Sequence, residues 1–436
     1  MQPNLGSPSN PTPTSAGEVS ASLDKRWWGL LPAVFVTYSL AYLDRANFGF
    51  GAASGMAATL HITQQQTSLL GALFFLGYFS FQVPGVLLAR RYSLSRAVFV
   101  ALIAWGSFAA LTGVIHSFWL LALDRLLLGI AESLIFPVML LLLTRWFTRA
   151  ERARANTILI FGNPITVLWM SAITGFLIQR FGWQRTFILE GLPSILWAPI
   201  WLATVRDQPR TARWLSPQAA TVLEQRLAQE QLGVAPIAAI RSALLRADAL
   251  VLSAAYFFWS LSLYGFVLWM PSIVRLGSGV TIAQTGLLTA LPYLAAILLM
   301  FLVGYLADRT QRNRSLVWSF LLVSGTALTG SALIAQRSFP LALIGLVLGG
   351  GCLYAPFGSF FAIVPQRIPR NVTAEVFILI NSIGALGGFF GAYFVGALQS
   401  ATGSSRASFF LMSASILAAS ALIFFLPEPP PTATSE

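Results

Sequence analysis

Four ionisable side chains fall inside long apolar runs: Asp44 and Arg45 in one, Arg125 and Glu132 in another. Each costs roughly 2.5–3.5 kcal/mol at the centre of a membrane helix, so such residues face a bundle interior or an aqueous cavity and mark a pathway. An arginine there offers a planar five-donor fork that matches a carboxylate. A carboxyl group withdrawn from water favours its neutral form and can carry a proton near neutral pH. A cation that holds an anion, beside acids that exchange protons, is the chemistry of proton-coupled anion transport. Arg125 and Glu132 lie about two helical turns apart and share one face. All four charges are therefore expected in one solvated cavity, with Arg125 tuning its acidic neighbour.

Tyr42, Asn47, Tyr78, Asn163, Trp169, Tyr264, Trp269, Tyr354 and Asn381 also fall within apolar runs. Their polar ends can meet hydroxyl or carbonyl oxygens while their bodies pack in a bundle. Asn163 and Asn381 stand out, because an amide in an apolar helix needs a partner. Asp124 and Glu190 lie nearer the run ends, where hydration is expected, and are left outside the core site.

The elements that must position these residues follow from composition. Of 436 residues, 56% are apolar and 10% charged, against about 25% charged in a soluble domain. Apolar runs occur near 27–51, 67–89, 97–115, 118–142, 155–178, 186–205, 249–271, 284–307, 315–335, 340–363, 374–398 and 406–426. Each has about the length that crosses hydrocarbon. The expected fold class is an all-α membrane protein with twelve transmembrane helices in two six-helix halves, 27–205 and 249–426. Residues 1–26 read as a disordered cytoplasmic tail, 206–248 as a cytoplasmic linker and 427–436 as a cytoplasmic tail. Within the linker, Ser216-Pro217 can start a helix and Gly233 can end it, with Val222, Leu223 and Leu227 as its apolar stripe. The second and eighth runs both end in a glycine followed by charge, Gly85 to Arg90-Arg91 and Gly304 to Asp308-Arg309. That repetition suits two related halves around a midplane site.

The net charge of +12 is topological. Most basic residues fall on the side of the tail and linker, while Arg180, Arg185, Arg275, Arg337 and Arg406 fall in the opposite loops. This asymmetry places both termini in the cytoplasm. Nucleic acid is excluded as a partner by the lack of a basic footprint; the expected partners are a small organic anion, protons and membrane lipid, and a monomer is expected. Cys352 is the single cysteine, and His61 and His116 lie far apart, so no metal site is expected. No phosphate-binding loop occurs, no cofactor is implied, and the chain does not read as an enzyme. No cleavable signal peptide precedes the first run.

The pattern Tyr42-Leu-Asp44-Arg45-Ala-Asn47, with Arg125 to Glu132 further on, resembles the anion:cation symporter family of the major facilitator superfamily. The stretches YLDRANFGFGAASG, GALFFLGYFSFQVPG, WFTRAERARANTILIFGNPITVLWMS, YGFVLWMPSI and YAPFGSFFAIVPQ are similar to bacterial 2-ketogluconate transporters, from about Trp27 to Leu426. The resemblance implies the major facilitator fold in the inner membrane and proton-driven uptake of organic anions, here 2-keto-D-gluconate or a related hexonate. It implies that Arg45 binds the substrate carboxylate, that Asp44 and Glu132 couple protons, and that Tyr78 and Asn381 touch substrate. Asn163 stands where a galactonate-carrying relative has glutamine. The loop Arg90-Arg91-Tyr92-Ser93-Leu94-Ser95-Arg96 lacks the acid of the superfamily's usual gating motif, whereas Asp308-Arg309 keeps the second version. Two rival readings use the same frame: a symporter for another carboxylate (tartrate or an aromatic acid), and a drug-efflux antiporter. The latter is disfavoured because Gly162-Asn163-Pro164-Ile-Thr lacks a run of glycines.

Overall fold

The computed structural model describes residues 13–231, 244–368 and 372–427, and the regular structure among them is entirely helical. In chain order come α1 (Pro13–Gly29), α2 (Leu31–Ala53), the single turn α3 (Met56–Thr59), α4 (Gln64–Arg91), α5 (Leu94–Thr112), α6 (Phe118–Glu132), α7 (Ile135–Trp146) and α8 (Arg149–Thr204). A 3-10 turn at Pro209–Thr211 precedes α9 (Pro217–Gln231), α10 (Ala247–Ser278), α11 (Ile282–Thr310), α12 (Asn313–Ile334), α13 (Phe339–Tyr354), α14 (Phe357–Arg367), α15 (Thr373–Thr402) and α16 (Ser405–Phe424).

Among the described residues, ten helical stretches are long and apolar enough to cross a membrane. One covers 51 residues, about 77 Å of helix against about 30 Å of hydrocarbon. It turns back at Gly182, whose φ of 80° is left-handed and suits a residue without Cβ. Thr174 and Glu190 consequently meet in a hydrogen bond, whereas a straight helix would hold them about 24 Å apart. α2 is not among the ten, because Asp44, Arg45 and Asn47 lower its hydropathy. With α2 and the second leg of α8, the crossings number twelve.

Two crossings are interrupted in mid-course. α6 gives way to α7 at Ser133–Leu134, directly after Glu132, and α13 gives way to α14 at Ala355–Pro356, directly after Tyr354. These are the fourth crossings of the two halves. Broken helices at the level of a central site are a recurrent feature of repeated transporter folds.

α1, α9 and the end of α16 share one face, called here the terminal face. Of the segment expected as a tail, residues from Pro13 onward form the helix α1, and its later residues make tertiary contacts. Ser22 accepts from the Ser216 backbone N–H at 3.1 Å, and Leu23 is buried. Arg26, 3% exposed, donates to the Trp146 carbonyl at 3.1 Å and pairs with Glu151. Those contacts supply what polar composition alone cannot; residues 1–12 and 428–436 lie outside the described residues. Pro217 opens α9, and of its expected apolar stripe Leu223 is buried and Val222 and Leu227 are half-buried, while Gly233 lies outside the described residues. The acid missing from the loop at 90–96 has a counterpart from the linker. Asp207 accepts from the backbone N–H groups of Leu94 and Ser95 at 3.1 and 2.8 Å, capping α5 where the helix dipole favours an anion.

Three seams join the halves: α2 with α10, α4 with α15, and α8 with α11. Toward the face opposite the termini they close on backbone. A Cβ on Gly49 would lie 2.4 Å from the Leu268 carbonyl oxygen, and one on Gly286 2.3 Å from that of Ser171. Gln65 also donates to Tyr393 at 3.0 Å. On the terminal side of the centre, Ser382 donates to Gln82 at 2.6 Å and Phe161 stacks on Phe301 at 4.7 Å. Among the described residues no comparable seam joins α7 to α14.

Gly129 sets how closely α6 crosses α4. A Cβ there would stand 1.9 Å from the Phe74 carbonyl oxygen, so Gly129→Ala must push the two backbones apart. Overpacking of this kind costs about 1–3 kcal/mol. We expect a lower thermal midpoint for purified Gly129→Ala, measured by tryptophan fluorescence.

Candidate functional site

Between the halves lies a cavity with about 620 Å³ of empty space, part of it open to solvent. All six residues expected to contact substrate border it: Tyr42 and Arg45 from α2, Tyr78 from α4, Asn163 from α8, Tyr354 from α13 and Asn381 from α15. Tyr264 of α10 joins them. Ten of the nineteen lining residues are aromatic, so the wall presents flat faces suited to the C–H side of a sugar or to a second ring. Polar atoms without a protein partner remain on both amides, Oδ1 of Asn163 and Nδ2 of Asn381.

Arg45 is the charged residue of this wall. Its Nε donates to Glu132 Oε1 at 2.5 Å, a second guanidinium nitrogen pairs with the same oxygen, and Nη1 donates to the Tyr264 hydroxyl at 3.4 Å. Its guanidinium carbon sits 4.8 Å from the Tyr42 ring centre and 4.7 Å from that of Tyr78. Two aromatic faces and one carboxylate thus hold the fork while leaving part of it on the cavity. Glu132 is fully buried and its other oxygen has no partner.

One shared vestibule for all four charges is not what forms. Asp44 and Arg125, each 1% exposed, lie behind the cavity wall and do not line it. The reason is helical geometry: adjacent residues diverge by about 100° around the axis, so Arg45 can face the cavity only if Asp44 turns from it. Arg125 rests 4.5 Å from the Phe48 ring centre, and the Phe74 ring contacts both cations, 5.5 Å from Arg45 and 5.6 Å from Arg125. Asp44 makes no aligned hydrogen bond; the Trp105 indole, which donates to Ser194 at 2.9 Å, stands beside it.

The expected hydration of Asp124 and Glu190 is also overturned. Asp124 is 4% exposed and accepts from Thr112 at 2.7 Å. Glu190 is 5% exposed and accepts from Thr174. Proximity to a helix end failed as a guide because neighbouring helices overlap those ends. Asn47 is buried beside Glu190, away from the cavity. Trp269 donates to the Ala392 carbonyl at 2.9 Å as packing, and Trp169 is 43% exposed on the outer surface. Asp308 and Arg309 are exposed on the terminal face, Arg309 lying 4.7 Å from the Tyr305 ring centre; among the described residues neither forms an ion pair.

Sequence reasoning missed Tyr38, Tyr256 and Ser260 on the wall and Gln82 at the seam. Gln82 carried a readable signal, a carboxamide within an apolar run. Tyr38 and Tyr256 carried the signal used for Tyr42 and Tyr264, a phenol within an apolar run, but sequence does not say which tyrosine faces a cavity before the helices are packed.

A two-half bundle with a charged, aromatic-walled central cavity defines a membrane transporter. Residues 34–392, and again 279–436, match the Major Facilitator Superfamily, and the chain belongs to it. It is 30% identical over 400 residues to the quinolone resistance transporter of Acinetobacter baumannii, covering 88% of this chain and 90% of that protein. It is 28% identical over 423 residues to a putative tartrate transporter of Agrobacterium vitis, covering 94% and 92% respectively. A bacterial homologue of the human lysosomal transporter Spinster, solved in an inward-facing and occupied conformation, shares the fold with a TM-score of 0.71 at 18% identity, over 92% of this chain and 96% of that one.

Arg125 has acids from two helices near it, Asp124 beside it and Asp44 on α2. Removing one partner of a buried charge set costs about 3–5 kcal/mol. We expect Arg125→Leu to lower the thermal midpoint strongly, and Asp124→Asn on that background to recover part of the loss.

Proposed function

We propose that the chain is a proton-coupled symporter that imports a sugar-acid anion, 2-keto-D-gluconate or a related hexonate, by alternating access. In this reading it lies in the inner membrane with the terminal face in the cytoplasm, as the placement of basic residues favours. The observation that carries it is Arg45 on the cavity wall, paired from behind with the buried Glu132. A substrate carboxylate and Glu132 compete for one fork. A proton on Glu132 weakens the internal pair, and the bidentate fork turns to the incoming carboxylate. Loss of that proton restores the internal pair and displaces the anion. Asn163 and Asn381 then meet sugar hydroxyls, and the tyrosines pack against the ring or chain. Asp44 and Arg125, shut off from the cavity, act on the cycle through charge.

Alternating access follows from the unequal closure of the two faces. Backbone contacts seal the distal face, whereas one side-chain hydrogen bond and one ring stack span the terminal side of the centre. One proton carried with a monoanion is electroneutral, and each further proton adds about 2.3 kcal/mol per 100 mV. The aromatic majority of the wall favours a second reading, an aromatic carboxylate as cargo. The relative named for quinolone resistance is compatible with that wall and keeps the outward direction in the test.

Purified protein in liposomes under an imposed pH gradient tests both readings. The substrates to compare are 2-ketogluconate, gluconate, tartrate, hydroxyphenylacetate and a fluoroquinolone. Accumulation of a hexonate with the proton gradient is expected; movement of the fluoroquinolone alone, against the proton flow, overturns the proposal. Arg45→Ala is expected to abolish uptake with normal insertion. Glu132→Gln is expected to retain counterflow exchange while losing gradient-driven accumulation.

A further inference from the structure

The charged end of the cavity belongs to the N-terminal half, where Arg45 stands on the wall. Facing it, the C-terminal half presents polar atoms without protein partners. Ser260 Oγ of α10, the Tyr354 hydroxyl of α13 and Asn381 Nδ2 of α15 all come from residues that border the cavity, and none makes an aligned hydrogen bond. Ser260 is 1% exposed. A buried hydroxyl without a partner carries the whole cost of its lost hydration. Serines within helices commonly escape that cost by turning back onto the carbonyl one turn earlier. Ser253 of the same helix does so, donating to Ala249 at 2.7 Å, and Ser171 donates to Val167 at 2.6 Å. Ser260 does not. Ser262 also lacks a partner, but it does not border the cavity.

The neighbouring helix keeps the way to Ser260 open. A Cβ on Gly384 of α15 would lie 3.0 Å from Ser260 Oγ and 2.4 Å from the edge of the Tyr256 ring, and Gly384 itself borders the cavity. A larger residue there would crowd the hydroxyl and close the recess. The far wall of the recess is set, because the Tyr256 ring stacks on Phe360 at 5.4 Å. One turn along α10 from Ser260, about 6 Å, comes Tyr264, whose hydroxyl meets Arg45 at 3.4 Å. The recess therefore lies about one helical turn from the guanidinium fork.

We propose that Ser260 selects cargo by hydrogen-bonding an alcohol group carried on the carbon chain several bonds from the carboxylate, in the recess that Gly384 leaves open. The inference deepens the sugar-acid reading above and rests on it. Cargo is then held at two ends, its carboxylate on Arg45 of one half and a distal hydroxyl on Ser260 of the other. Two C–C bonds span at most about 3 Å, so a three-carbon hydroxy acid held on the fork falls short of the recess. A six-carbon acid reaches it. The unsubstituted ring of phenylacetate fills space there but leaves Ser260 unpaired, and a site built around a cargo hydroxyl discriminates against an analogue lacking it.

Counterflow in liposomes tests this with wild type, Ser260→Ala and Ser260→Thr, using gluconate, 2-ketogluconate, glycerate and phenylacetate as competing solutes. Wild type is expected to prefer the two hexonates to glycerate. Ser260→Ala should reduce that preference about tenfold, the size of one lost hydrogen bond, and Ser260→Thr, which keeps the hydroxyl, should restore most of it. The thermal midpoint is the structural control: Ser260 Oγ bonds nothing in the protein, so Ser260→Ala should not lower it. A hexonate preference unchanged in Ser260→Ala overturns the selecting role while carboxylate transport stands. A lowered midpoint with equal losses for gluconate and glycerate marks a packing residue and also overturns it. A wild type that takes phenylacetate ahead of both hexonates, or moves no carboxylate at all, overturns the sugar-acid reading and the recess together.

Discussion

Taking a guanidinium and a carboxyl group out of water costs several kcal/mol per ion, and only close pairing with further donors offsets it. The bond between Arg45 and Glu132 is where this chain meets that constraint. Glu132 closes α6 just before the chain breaks into α7, and Arg45 lies mid-way along α2. To bring the two together, α2, α4 and α6 must pack within a single aromatic shell, and Tyr42, Tyr78 and Phe74 supply their faces to the cation. In the proposed cycle the pair is also what an incoming carboxylate displaces. Its cost in stability and its use in a cycle are then the same property.

The second layer of charge changes how that cycle is understood. Substrate and protons need not share a compartment. Arg45 stands between the central cavity and a dry cluster of Asp44, Arg125, Asp124 and Glu190. Electrostatic interaction is long-ranged in such surroundings because little water screens it. A proton moved within the cluster can therefore alter how tightly the front layer holds an anion without meeting the anion itself.

Family membership and chemistry carry different parts of this account. The superfamily match and the shared fold make the chain a membrane transporter. Neither selects a cargo, since relatives of nearly equal similarity are named for a drug and for tartrate. The cargo proposed here rests on side chains on the wall: a fork that suits a carboxylate, two amides that suit hydroxyls and a largely aromatic surround.

Hydrophobic run length alone determined that the chain is helical and crosses a membrane, because hydrocarbon offers the backbone no other partner. The expense of charge in lipid picked out Asp44, Arg45, Arg125 and Glu132, and Tyr42, Tyr78, Asn163, Tyr354 and Asn381 could be nominated as polar groups in apolar runs. Which of them face the cavity was decided only by packing. A residue's direction depends on helix rotation and on the neighbour it meets, which is why Arg45 reaches the cavity and its neighbour Asp44 does not. The turn at Gly182 brought Glu190 onto Thr174, and the contacts of Arg26 made a helix of a polar tail. Sequence distance holds no record of such meetings, because they arise between segments that only the folded bundle places side by side.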